Sequence, residues 1–269
     1  MNTLLESQLS SSQVTPGGAI LLLAVIFIAS LVVAVAFVSM RTTQAQGPRV
    51  KAIVFATAIS LWLITTAILA ELGSLAQWYA FPPRIPLLLL GAIGIYATVW
   101  RLRTTGLVLA SVPFWLPVLL QSFRMLVEMA LWQLHREGSV PVQFTFEGRN
   151  LDVLTGLTAI LVAWGIAAGR LGPRSVLLWN VAGLGLLLNA IAIAATSSPG
   201  PQHLDWPGQP FTAIATWPLI WLPTFLAPTA IFLHLISTHQ CFSMIYRDSE
   251  GTHSTDKEAQ KLGSRHQPS

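Results

Sequence analysis

The sequence predicts an all-α fold, a polytopic transmembrane helix bundle of seven spanning helices with its N-terminus outside and its C-terminus in the cytoplasm. Three observations carry this. Only 10% of the 269 residues are charged while 53% are hydrophobic, against roughly 25% charged in soluble domains. The apolar residues come in blocks of about 18 or more, the length a helix needs to cross a hydrocarbon core roughly 30 Å thick. The basic residues fall on one side of these blocks.

The first block, residues 18–40, follows a segment, 1–17, that contains no Lys or Arg. A secretory signal needs a positive start and a short apolar core. Although Ala34-Val35-Ala36 resembles a cleavage site, the block is read as an uncleaved span and 1–17 as exoplasmic. Further spans are expected near 52–72, 85–100, 106–126, 152–169, 174–196 and 213–237. The third is short after Pro82-Pro83 and Pro86, so Trp78 to Phe81 is expected to lead into it at headgroup level, where Trp and Tyr are favoured. Pro218, Pro223 and Pro228 recur every five residues, which frees backbone carbonyls and predicts a bent last span. Gly165 and Gly169 read as a small-residue face for helix packing. The membrane domain thus covers 18–240, and the polar, mixed-charge stretch 241–269 reads as a disordered cytoplasmic tail.

Orientation follows from counting. With the N-terminus outside, the cytoplasmic loops and tail hold Arg41, Arg49, Lys51, Arg101, Arg103, Arg170, Arg174, Arg247, Lys257, Lys261 and Arg265. The opposite face holds Arg84, Arg136 and Arg149. Eleven against three is a strong positive-inside bias, and it points to a plasma membrane, the inner membrane of a bacterium. Every acid before the tail falls in the outer half, from Glu6 and Glu71 to Asp205. The polar chemistry is therefore expected outside.

One stretch departs from membrane filler, the helix-loop insertion 122–151 with its flanks. Gln121, Arg124, Glu128, Trp132 and His135 are spaced by three and four, so a helix puts them on one stripe. Counting about 20 residues from Gly106 places Arg124 and Glu128 at the outer interface, where an i, i+4 ion pair lowers the cost of holding either near lipid. Gly138 and Pro141 stop the helix. Val140 to Phe146 then reads as an extended or re-entrant stretch, and Asn150 or Asp152 as the N-cap of the next helix. The candidate ligand-binding residues are Gln121, Arg124, Glu128, His135, Glu147, Arg149, Asn150 and Asp152, with Glu71 and Arg84 as further contributors. This segment resembles uncharacterised multi-pass membrane proteins of bacteria, in which a Gln-x-x-Arg-x-x-x-Glu helix precedes a Phe-x-Gly-Arg-Asn-like turn. Gln121, Arg124, Glu128, Phe146, Gly148, Arg149 and Asn150 carry the likeness, which implies no known activity.

Several function classes lose support. The net charge of +4 sits in short loops and sets orientation, so no nucleic-acid partner is expected. The single Cys241 excludes a disulfide framework or a multi-Cys metal site. His135 and His203 lie toward the outer end, His234 and His239 toward the inner end, too far apart for bis-histidine haem. A site built from His135, Glu137, His203 and Asp205 is chemically conceivable, but no spacing demands it. No metal and no cofactor is assigned. The last span has no lysine to carry a retinal Schiff base. Asn180 and Asn189, nine apart, read as separate interhelical hydrogen bonds.

The leading expectation is a non-catalytic membrane protein whose outer polar cluster binds a small ligand or a membrane protein partner, the bilayer being its other partner. The alternative is a small-solute transporter or channel, weakened by the lack of an internal repeat and of a charge near the midplane. A second alternative is an enzyme at the outer leaflet with His135 or Glu128 as acid/base, for which no nucleophile–base motif appears.

Overall fold

The computed structural model describes residues 15–42, 48–101 and 111–263. The exoplasmic segment before Thr15, the start of the fourth expected span at 106–110 and part of the basic loop positions lie outside those residues. Within them the chain is all-helical. The helices are α1 (Pro16–Thr42), α2 (Pro48–Glu71), α3 (Arg84–Arg101), α4 (Trp115–Leu120), α5 (Phe123–Arg136), α6 (Val153–Ala167), α7 (Pro173–Ser197) and α8 (Ala227–Gly263). Four of them are long and apolar enough to cross a membrane: α1 over Pro16–Ala36, α2 over Ile53–Glu71, α3 and α7.

The bundle is apolar inside and out. Leu21, Ala24, Val25 and Ile28 form the buried stripe of α1 that packs on α5, while Phe27, Leu90 and Leu178 point outward and exposed. In water such a jacket would be an uncompensated cost; in lipid it is the solvated face. The inner surfaces of α7 and α8 pack along each other, and α4 packs on α6.

The helices that fall outside the four candidates are those with interruptions. Between α4 and α5, Gln121 and Ser122 carry tighter i→i+3 hydrogen bonds, with the Arg124 and Met125 amides donating to the Gln121 and Ser122 carbonyls at 3.1 Å each. The last helix is entered through a π-helical turn at Leu222–Leu226, where its prolines recur. Pro228 has no N–H for the Thr224 carbonyl four residues back, and the Trp62 indole of α2 donates to that oxygen instead at 2.9 Å.

Helix α8 runs to Gly263, through the stretch from 241 for which the sequence predicted a disordered tail; Asp256-Lys257-Glu258-Ala259-Gln260-Lys261 is rich in good helix formers. Gly165 and Gly169 serve a turn and not an interhelical face. Gly169, at φ 67, closes α6, and a Cβ on Gly165 would fall within 2.7 Å of the Leu171 side chain.

Candidate functional site: a buried ion pair beneath an apolar cavity

Helix α5 sets the height of the site. Its C-terminus is a Schellman turn: Gly138, at φ 78, donates to the His135 carbonyl at 2.9 Å, and Ser139 donates to the Leu134 carbonyl at 2.9 Å. The neighbouring Glu137 accepts from the Gly17 amide at 3.0 Å, so the end of α5 is level with the start of α1. Arg124 lies 13 residues back along the chain from Glu137, roughly 20 Å lower at 1.5 Å per residue. That is mid-height in α1, not its rim. The expectation that Arg124 and Glu128 sit at the interface fails on this point, because it counted from the first apolar residue and took no account of where the helix ends.

The loop after α5 descends back into the bundle, and α7 measures the descent. Gln143 donates to the Ser197 hydroxyl at 3.2 Å, at the end of α7. The Asn189 amide donates to the Arg149 carbonyl at 3.0 Å. Arg124, which holds Asp152, donates to the Gly183 carbonyl at 3.2 Å. From Ser197 to Gly183 is 14 residues, roughly 21 Å. The segment expected to be extended or re-entrant is re-entrant, with a single 3₁₀ turn at Val142–Phe144, and α6 starts halfway down. Glycine makes the crossing feasible: a Cβ on Gly156 would come within 2.6 Å of the Met125 backbone nitrogen.

At the foot of this descent four elements meet. The Arg124 guanidinium forms a two-pronged ion pair with Asp152, through Nε to Oδ2 at 2.6 Å and through Nη2 to Oδ1. Its Nη1 lies 2.9 Å from His234 Nε2. His234 Nδ1 is 2.9 Å from Asn180 Oδ1, while the Asn180 amide donates to Ser237 Oγ at 2.8 Å and to the Val176 carbonyl at 2.9 Å. Both amide hydrogens of Asn180 are thereby spent, so its oxygen must accept. His234 then carries its proton on Nδ1 and offers Nε2 to Arg124 as a neutral ring. Gly183 lets α7 approach this closely, since a Cβ there would lie 2.8 Å from His234 Cε1. The expected i, i+4 pair is replaced. Arg124 takes Asp152, and Glu128 accepts from Asn150 Nδ2 at 2.6 Å.

Asp152 does occupy the N-cap position of α6, but its side chain caps nothing, because the carboxylate is committed to Arg124. Asn150 instead accepts from the Asp152 amide at 3.2 Å and donates to the Phe144 carbonyl at 3.2 Å. Gln121 joins from the helix break, donating to the Ala230 carbonyl at 3.0 Å. Five of the eight candidates, Gln121, Arg124, Glu128, Asn150 and Asp152, are thus buried together.

The other three lie nearer the end of the bundle where α5 terminates. His135 Nδ1 is 2.8 Å from the Val140 carbonyl. Glu147 accepts from the Trp132 indole at 2.8 Å, and the Arg149 guanidinium stacks 5.1 Å from the Trp206 ring centre. Glu71 is exposed. No three His, Cys, Asp or Glu among the described residues are grouped to hold a metal ion, and His203 sits 3.1 Å from the Ser198 carbonyl. Sequence reasoning missed His234, Asn180 and Ser237. The signal was a polar pair three apart, His234 and Ser237, in a largely apolar stretch of helix; His234 was instead assigned to the opposite end of the bundle from His135. Asn189, as expected, bonds separately.

Above the cluster opens a cavity of about 270 Å³. Arg84, Trp78 and Gln202 stand at its upper end, Leu187 and Ala194 along the α7 wall, and Arg124, Glu128, Asn150 and Asp152 at its floor. Arg84 is anchored there by donating to the Ser74 carbonyl at 2.5 Å. The walls are overwhelmingly apolar, with polar groups at the two ends, the usual composition of a small-molecule site.

Residues 80–241 match a domain of unknown function (DUF8737). The chain belongs to that family. The match spans α3 through the start of α8 and so contains every residue of the buried cluster. No curated protein and no solved structure matches the chain.

Proposed function

We propose that this member of the DUF8737 family is a multi-pass protein of the plasma membrane, with seven spans, an outer N-terminus and a cytoplasmic C-terminus, that binds a small apolar-bodied ligand from the outer side. The four long apolar helices support the membrane setting. The interrupted α4–α5 pair, the short α6 with its re-entrant loop, and the last helix supply the other three crossings in this reading. The observation that carries ligand binding is the cavity, which is apolar along its walls and ends on charged groups at mid-height. A packed core leaves no void of this size without a use.

The test is equilibrium binding of tritiated naphthalene to the full-length protein in lipid nanodiscs, with empty discs as the blank. Saturable binding is expected in the wild type. Ala194→Trp, which fills the cavity from the α7 wall, is expected to abolish it. Binding that is absent, or unchanged in the filled variant, defeats the reading.

A second reading, transport of a small solute, gains from one observation. A charged pair stands at mid-height where three chain interruptions converge: the α4–α5 break, the start of α6 and the re-entrant loop. Transporters place substrates at such discontinuities. Uptake of the bound probe into sealed proteoliposomes, absent with the filled variant, separates transport from binding alone.

A further inference from the structure

Glu128 is 2% exposed and lines the cavity floor, yet only one of its carboxylate oxygens is satisfied. Oε1 accepts from Asn150; Oε2 is buried without any hydrogen-bond partner. No donor of the cluster reaches it. Both hydrogens of the Asn150 amide are committed, to Glu128 and to Phe144. Arg124 is engaged by Asp152, His234 and the Gly183 carbonyl. Arg124 is paired with Asp152 and His234 is neutral by its hydrogen bonds, so no cation among the described residues is hydrogen-bonded to Glu128. Arg84, at the other end of the cavity, is held by Ser74.

A carboxylate oxygen with no donor, on a residue that lines an apolar cavity, is costly when the cavity is empty and selective when it is filled. Resting on the ligand-binding reading above, we propose that the cavity takes a protonated primary amine carried on an apolar body, the ammonium donating to Oε2 of Glu128. An ammonium is compact and brings three donors and one positive charge. It completes the hydrogen bonding of Glu128 and supplies a cation for its carboxylate. The apolar body lies along Phe123, Leu131 and Leu187. The cavity is nearly twice the roughly 150 Å³ of an apolar protein cavity that accepts benzene, which suits a body about the size of two fused rings. A carboxylate or phosphate head is disfavoured, because it would face Glu128 with like charge.

The experiment compares tritiated 2-(1-naphthyl)ethylamine with naphthalene on the full-length protein in nanodiscs. In the wild type the amine is expected to bind at least about tenfold more tightly, the factor appropriate to a hydrogen bond between charged partners. Glu128→Gln keeps an oxygen for Asn150 and is expected to erase that preference while naphthalene still binds. Glu128→Asp keeps the charge but withdraws it by one methylene, and is expected to give an intermediate preference. Equal affinities in the wild type, or a preference that survives in Glu128→Gln, overturn the amine assignment and leave the cavity reading intact. Failure of naphthalene to bind the wild type defeats the cavity reading, and the amine assignment falls with it.

Discussion

Asp152 illustrates how a residue can be recognised as important for the wrong reason. Its place before an apolar run marked it as a helix cap, and it does stand at that position, but its carboxylate is taken by Arg124. Removing one partner of a buried pair strands the other charge and costs about 3–5 kcal/mol, whereas replacing both by apolar groups of similar size costs far less. Asp152→Leu alone is therefore expected to lower thermal stability in detergent sharply. Arg124→Met with Asp152→Leu is expected to recover most of the loss. A double variant as unstable as the sum of the two singles would show that the pair is not the source of the effect.

At the scale of elements, α1 and α5 are joined along a long apolar stripe and latched by Glu137 where α5 ends and α1 begins. Partial burial opposes ionisation of this carboxyl, but donation from Gln133, Thr15 and the Gly17 amide outweighs it and holds the pKa below the ordinary value. A carboxyl whose folded pKa is depressed stabilises the fold above its unfolded pKa, and that contribution is lost as pH falls through the folded value. The latch is thus expected to hold at neutral pH and to release on acidification below the normal Glu range. Hydrogen-exchange protection at the first turn of α1, measured relative to the intrinsic amide rate at each pH, should fall at low pH in the wild type. In Glu137→Gln that protection should be independent of pH over the same window, and an identical acid response in the two proteins would exclude Glu137 as the latch.

The same scale shows why the cluster was only partly legible. Gln121, Arg124 and Glu128 were visible because a 3–4 spacing puts them on one stripe of a helix, a property of local sequence. Asn150 and Asp152 were visible as polar residues ahead of an apolar run. His234, Asn180 and Ser237 were not linked to them. Joining them requires the relative heights of α5, α7 and α8, and those heights are set by Glu137 against Gly17 and by the re-entrant loop. His135, Glu147 and Arg149 share the stripe or the loop with the buried residues but lie above the ion pair, since the loop passes Glu147 and Arg149 before it reaches Asp152.

For the whole molecule, the proposed topology makes opposite predictions for two positions. In a background where Cys241 is replaced by Ala, a cysteine at position 203 is expected to react with an impermeant maleimide in intact cells. A cysteine at 255 is expected to react only after permeabilisation. The reverse pattern would invert the orientation, and reaction of both from outside would remove one span.

The sequence by itself determined that this chain is helical and rich in helices of membrane-crossing length, because apolar block length is a local property and the bilayer imposes it residue by residue. It also marked the last helix as irregular at its prolines, since the absence of an N–H on proline is written in the residue type. Only the tertiary structure decided that the polar residues belong to the middle of the bundle instead of its rim. Depth depends on where helices end against one another and on how far a loop folds back. The chain turns inward after Gly138, and that turn brings Asp152 to Arg124, Arg124 to His234, and leaves one carboxylate oxygen of Glu128, at the floor of an apolar cavity, without a partner.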